Sequence, residues 1–271
     1  MEPFGMELPR FLQWTDRFVY ERDVTPLSGW FAPWVTVTCY FVGLRILQWR
    51  MKDRKAMEFP RLLFLHNIVL SAASSVVFAF MAYILWMKHS IRGYGLREMI
   101  CGVQMHEEGG SLKLAYYINY WFKYYELLDT ILLVLRKKPV MFLHEYHHAA
   151  TLVLTWSQLR EHSTVQWMPI GINLFVHIVM YYYYAVSAVG IRVWWKKYLT
   201  TLQILQFVVD VVACSYAYAI FIANGMSYAA CYGTQVGAVT GILILTSYLI
   251  LFIQFYFRTY GKAPKRGAKQ D

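Results

Sequence analysis

Apolar residues gather into seven long runs, parted by short polar or basic segments. The runs cover roughly residues 29–49, 62–87, 112–135, 140–158, 166–189, 198–223 and 234–257. Each approaches or exceeds the roughly 20 residues that a helix needs to cross a hydrocarbon layer ~30 Å thick. They predict an all-α, polytopic membrane protein with seven transmembrane helices in one domain over residues 1–271. Only Arg136-Lys137-Lys138-Pro139 separates the third run from the fourth, so those two helices should be antiparallel neighbours. No internal repeat is visible, and residues 258–271 read as a polar tail.

The composition agrees: 58% of the residues are hydrophobic and 18% aromatic, with a mean hydropathy of +0.35. A soluble domain of this length needs less apolar surface. A net charge of +10 would suit nucleic acid, but the basic residues lie between apolar runs, which fits membrane topology instead. If alternate segments face opposite sides, 16 Lys and Arg fall in 50–61, 136–138, 192–197 and 258–271, against 7 in the other segments. The richer side should be cytosolic, so the N-terminus is expected in the lumen and the C-terminus in the cytosol. Residues 1–28 lack the apolar core of a signal peptide, leaving targeting to the first helix. Cys39, Cys101, Cys214 and Cys231 are scattered and read as packing residues, with neither a disulfide framework nor a zinc site.

Polar groups interrupt four of the runs. The third carries Lys123, Glu126, Asp129 and Thr130, the first three spaced three apart along one helical face. The fourth carries His144, His147 and His148, whose spacing also places them on one face. The fifth carries Asn173, His177 and the aromatic series Tyr181 to Tyr184; the sixth carries Gln203, Gln206 and Asp210. All fall in the cytosolic half of their helices or near the midplane, while the lumenal halves read as nearly free of polar groups. That distribution predicts a tunnel open to the cytosol and closed toward the lumen. Ionisable groups within a membrane are costly and mark functional sites.

Plainer readings exist for several residues. Lys123 and Glu126 could simply neutralise each other, and Gln203 and Gln206 could glue helices together. The series Tyr181 to Tyr184 could belong to an interfacial aromatic belt, and His177 alone could be a core residue. Arg45 can snorkel to the interface. His66, His89, His106 and His162 are isolated and receive no role.

Four stretches resemble, in order, the motifs of the very-long-chain fatty-acid elongase (ELO) family. They are Lys123-Tyr-Tyr-Glu126-Leu-Leu-Asp129-Thr130, His144-Glu-Tyr-His147-His148, Asn173-Leu-Phe-Val-His177-Ile-Val-Met180-Tyr181 and Thr200-Thr-Leu-Gln203-Ile-Leu-Gln206. The resemblance implies a seven-helix protein of the endoplasmic reticulum acting as a 3-ketoacyl-CoA synthase. Acyl-CoA and malonyl-CoA would be its substrates, with no metal and no bound cofactor. Its partners would be the ketoacyl reductase, dehydratase and enoyl reductase of the elongation cycle, and a homo-oligomer is compatible with it. The flanking Trp167-Met-Pro169 and the Pro139 five residues before His144 lean toward forms acting on saturated and monounsaturated chains.

On that reading His147 attacks the acyl thioester, and His177 aids proton transfer or stabilises the enolate. His144, His148, Asn173 and Gln203 orient them, while Lys123, Glu126 and Asp129 set local charge. Tyr181, Tyr184 and Gln206 would contact substrate, and Lys137, Lys138, Lys196 or Lys197 would meet the CoA phosphates. Two rivals remain. A membrane di-iron desaturase or hydroxylase also uses H-x-x-H-H but needs several histidine boxes. A seven-helix receptor or transporter would leave the histidines idle.

Overall fold

A computed structural model describes residues 10–261. Among them the chain forms ten helices and no strand. These are α1 (Arg10–Thr15), α2 (Phe31–Met51), α3 (Pro60–Ser90), α4 (Leu96–Cys101), α5 (Val103–Glu107), α6 (Ser111–Leu135), α7 (Phe142–Glu161), α8 (Trp167–Ala188), α9 (Lys196–Ala223) and α10 (Gln235–Tyr260). The seven apolar runs become α2, α3 and α6 to α10, each 20 residues or longer. Residues 262–271, most of the expected tail, lie outside the described residues.

Local chemistry sets the helix ends. Pro60 occupies the first turn of α3, where its missing N–H leaves no intrahelical bond unmade. The Thr234 hydroxyl accepts from the Gly237 N–H at 3.1 Å and caps α10. The α6–α7 turn closes with Lys137 in the left-handed region at φ 53°, and α6 and α7 pack together as the short turn demands. α3 packs most extensively on α8, and α10 on α9 and α7.

Four helices, α3, α8, α9 and α10, are both long and apolar enough to cross a membrane. The others have the length but more polarity: α6 carries Lys113, Lys123, Glu126 and Asp129, and α7 carries three histidines, Glu145, Arg160 and Glu161. Large apolar side chains point outward, among them Val76, Val212, Leu243 and Ile250. A hydrocarbon surrounding accommodates them where water would not.

Two sets of connections gather at opposite ends of the bundle. At the basic end, the Met57 N–H donates to the Leu135 carbonyl at 3.0 Å, and Lys137 Nζ donates to the Lys52 carbonyl at 2.9 Å. At the other end Cys101 and Cys231 form a disulfide across 130 residues. That corrects the reading of these two cysteines as packing residues. Neither sits in a motif, and only the fold brings them together. Cys39 and Cys214 remain free thiols. Two histidines that the sequence leaves without a role brace the same end. His106 stacks on Tyr232 with ring centroids 4.3 Å apart, and His162 Nδ1 lies 2.8 Å from the Tyr232 hydroxyl. Burial pushes the His106 imidazole down to about 4, so it stays neutral.

Candidate active site

A cavity of about 440 Å³ opens among α3, α6, α7, α8, α9 and α10. Arg136, Pro139 and Met141 of the α6–α7 turn form part of its wall, as do Ser187 and Ala188 near the end of α8. It therefore lies toward the basic end. His144, His147 and His148 all line it, as their spacing requires, and so do His177, Asp129 and Asn173. Tyr181, Tyr184, Gln203 and Gln206 complete the set of expected residues on this wall.

Behind the wall lies a buried ionic network. Lys123 Nζ donates to Glu126 at 2.9 Å and 3.2 Å, and to the Asn173 side-chain oxygen at 3.1 Å. Both charged side chains are 2% exposed. His177 Nδ1 stands 3.3 Å from the same Glu126 carboxylate. One carboxylate thus orients an imidazole while a lysine neutralises it. The arrangement fixes which His177 nitrogen faces Glu126 and leaves the other edge of the ring for the cavity.

Asp129 anchors a second cluster. Its oxygens accept from His66 Nε2 at 2.6 Å and from the Tyr181 hydroxyl at 2.8 Å. The second His66 nitrogen lies 3.2 Å from the Tyr125 hydroxyl. His66 also lines the cavity, which corrects its reading as an isolated histidine. It sits on α3, a helix with no motif, and only its intramembrane position could have flagged it. Arg45 is likewise more than a snorkelling side chain: it holds Glu145, within the histidine motif, at 2.6 Å.

His147 is enclosed by the rings of Tyr248, Phe252 and Phe207, with centroids 4.9, 6.0 and 6.4 Å away. His148 packs edge-on to both His147 and His144. Gln203 donates to the Met180 sulfur at 3.4 Å, and Gln206 to Asp210 at 3.4 Å. The four lysines assigned to CoA do not line this wall. Lys137 is engaged with a backbone carbonyl, and Lys197 stands 5.7 Å over the Tyr256 ring. Arg136 is the cation that reaches the cavity lining.

A second, smaller chamber of about 60 Å³ shares His147, Asn173, Gln206 and Phe207 with the first. It extends to Ser163, Gln166 and Pro169 at the disulfide end. Its walls also hold Asn119, Thr151, Thr155, Gln158 and Asp210. The distal half of the bundle is therefore not nearly free of polar groups, which corrects the expectation from the sequence. Asn119, Thr155 and Gln158 fall outside every motif and carry no signal of their own.

Sequence comparison matches residues 25–268 to the family described as ELO: GNS1/SUR4 family. The chain belongs to the ELO family. This ELO-family chain is 37% identical over 250 residues to Fatty acid elongase A of Dictyostelium discoideum, covering 91% of the chain and 89% of that protein. Fatty acid elongase sre1 of the same organism is 33% identical over 260 residues, covering 96% of the chain and 94% of that protein. Very long chain fatty acid elongase 2 of Mus musculus is 30% identical over 296 residues, covering 100% and 91% respectively. Together with its long apolar helices, the match makes the chain a multi-pass ELO membrane protein. Among the described residues no three His, Cys, Asp or Glu side chains converge as metal ligands would. The di-iron reading therefore lacks a ligand set there.

Proposed function

We propose that this ELO protein catalyses the condensing step of fatty-acid elongation, as a very-long-chain 3-oxoacyl-CoA synthase. The observation that carries the reading is His147 and His177 lining one cavity, with His177 held by Glu126, which Lys123 holds in turn. The His147 nitrogen attacks the acyl thioester carbonyl, and CoA leaves as a thiolate that takes up a proton. The acyl group is then held as an acyl-imidazole. Malonyl-CoA loses CO₂, and the resulting enolate attacks the acyl carbonyl. The C–N bond to His147 breaks, releasing 3-ketoacyl-CoA, and the freed ring nitrogen takes up a proton from solvent to restore the imidazole. His177 faces the cavity where negative charge develops on the enolate oxygen, and stabilises it there. The aromatic rings around His147 exclude water, which would hydrolyse an acyl-imidazole. On this reading acyl-CoA and malonyl-CoA are the substrates, and the reaction uses no metal and no bound cofactor.

The seven long helices support seven membrane crossings, with the two cavities forming a tunnel entered from the basic, cytosolic end. Arg136 at that entrance suits the phosphates of CoA. Residence in the endoplasmic reticulum, beside the reductases and dehydratase of the cycle, follows from the same reading. The disulfide adds support for its orientation. It joins the segments at 88–111 and 224–233, which the charge asymmetry assigns to the lumen. Disulfides persist in oxidising compartments. Tags at residues 1 and 271 should accordingly lie on opposite sides of sealed microsomes, the first protected from protease and the second cleaved. Two cleaved tags would mean an even number of crossings. Product analysis with purified protein, malonyl-CoA and a panel of acyl-CoAs tests the reaction itself. The expected product is a 3-ketoacyl-CoA two carbons longer than the primer, and its absence with every primer would refute the assignment.

A further inference from the structure

The deeper chamber is more polar than an acyl tail requires. Three of its wall oxygens have no hydrogen-bond partner: Asn119 Oδ1, Gln166 Oε1 and Asp210 Oδ1. Their residues are 1%, 7% and 0% exposed, so bulk water does not solvate them. They come from three separate elements, α6, the residue preceding α8, and α9. Neighbouring polar groups on the same wall are satisfied within the protein. Thr155 Oγ1 donates to the Thr151 carbonyl at 2.9 Å, Gln158 Nε2 to the Gly237 carbonyl at 2.9 Å, and Thr151 bonds the Tyr248 hydroxyl at 3.0 Å. On this wall the unmet demand is thus confined to these three oxygens.

A buried acceptor without a donor costs free energy, and nearly all such groups in folded proteins are met. A saturated hydrocarbon tail cannot meet these; it would displace water and strand all three. A hydroxyl can. Its single O–H donates to the Asp210 oxygen, and its own oxygen can accept from an Asn119 or Gln166 amide turned to present its NH2 group. The chamber adjoins the larger cavity through His147 itself, so a chain held at His147 can run directly into it.

We infer that the chamber framed by Asn119, Gln166 and Asp210 is a hydroxyl-recognising subsite for acyl chains that carry a hydroxyl group beyond the thioester. This inference rests on the condensing function proposed above. Water could supply the same hydrogen bonds, and the experiment separates the two sources.

Purified full-length protein is titrated with unsubstituted acyl-CoA and with chains of equal length hydroxylated at successive carbons. Affinity is read directly, and condensation with malonyl-CoA in parallel. Affinity should peak at one hydroxyl position, roughly 10-fold above the unsubstituted chain. Asp210→Leu should erase that preference while leaving binding of the unsubstituted chain equal or tighter. Asp210→Asn, which keeps shape and one acceptor oxygen, should retain part of it. Equal affinity for hydroxylated and plain chains in the wild-type protein would overturn the proposal, leaving water as the occupant, and needs no variant to fold. A preference that Asp210→Leu leaves unmoved would overturn it too. If the binding preference stands but no 3-ketoacyl-CoA forms from any chain, the condensing function falls and the subsite does not.

Discussion

His147→Gln should abolish turnover, by roughly 10³-fold or more, and with it any covalent adduct. In the wild-type protein, acyl-CoA alone should release free CoA before malonyl-CoA is added. Intact mass should then rise by one acyl group, and steady-state kinetics should be ping-pong. Glutamine keeps much of the size and hydrogen-bonding capacity of histidine but has no nucleophilic nitrogen, so expression and folding should stay close to normal. The packing around the site supports that expectation. The ring contacts of His147 are with Tyr248, Phe207, Phe252 and His148, so no ionic partner loses its counter-charge on substitution. A wild-type protein that neither releases CoA nor gains mass with acyl-CoA alone would point to direct condensation, with His147 as a base. His177→Gln gives the contrasting case. It should retain the adduct and lose its onward transfer to malonyl-CoA, because His177 acts on the second half of the reaction. If both variants lose the adduct equally, the division of labour between the two histidines is wrong.

The helices and the near side of the site were legible because each rests on local periodicity. A run of 20 apolar residues has to satisfy its own backbone within a membrane, and it does so as a helix. Histidines spaced three and four apart must share a face. What escaped the sequence depends on distance along the chain. Cys101 and Cys231 meet across 130 residues. His66 acquires its partner only because α3 comes within reach of Asp129 on α6. Arg45 finds Glu145 on another helix, 100 residues away. The polar groups of the deep chamber escaped for a different reason. Asn119, Thr155 and Gln158 are each ordinary in a helix, and only their convergence with Asp210 on one cavity makes them notable. The lysines beside the motif block drew attention by charge alone. The cation on the cavity wall is Arg136, one residue before Lys137, and the left-handed backbone at Lys137 turns the chain just after it.

Lys123→Met should be the most destabilising single change in the site. It removes the cation from a carboxylate that is 2% exposed and leaves Glu126 facing only His177 and a low-dielectric surrounding. Breaking one side of a buried ion pair costs about 3–5 kcal/mol, because the remaining charge loses its compensation. Removing both charges together is far cheaper. The double variant Lys123→Met with Glu126→Gln should recover most of the thermal stability in detergent, since methionine and glutamine fill similar volumes and leave no buried charge. It should not recover activity, because the neutral amide that replaces Glu126 cannot hold His177 with a full negative charge. The pattern to be measured is therefore a large fall in melting temperature for the single variant, near-normal melting for the double variant, and loss of turnover in both. Restored activity in the stable double variant would show that the network serves helix insertion alone, the plainer reading of this pair. A double variant as unstable as the single one would mean that Asn173, which accepts from Lys123 at 3.1 Å, carries the stabilising contact instead.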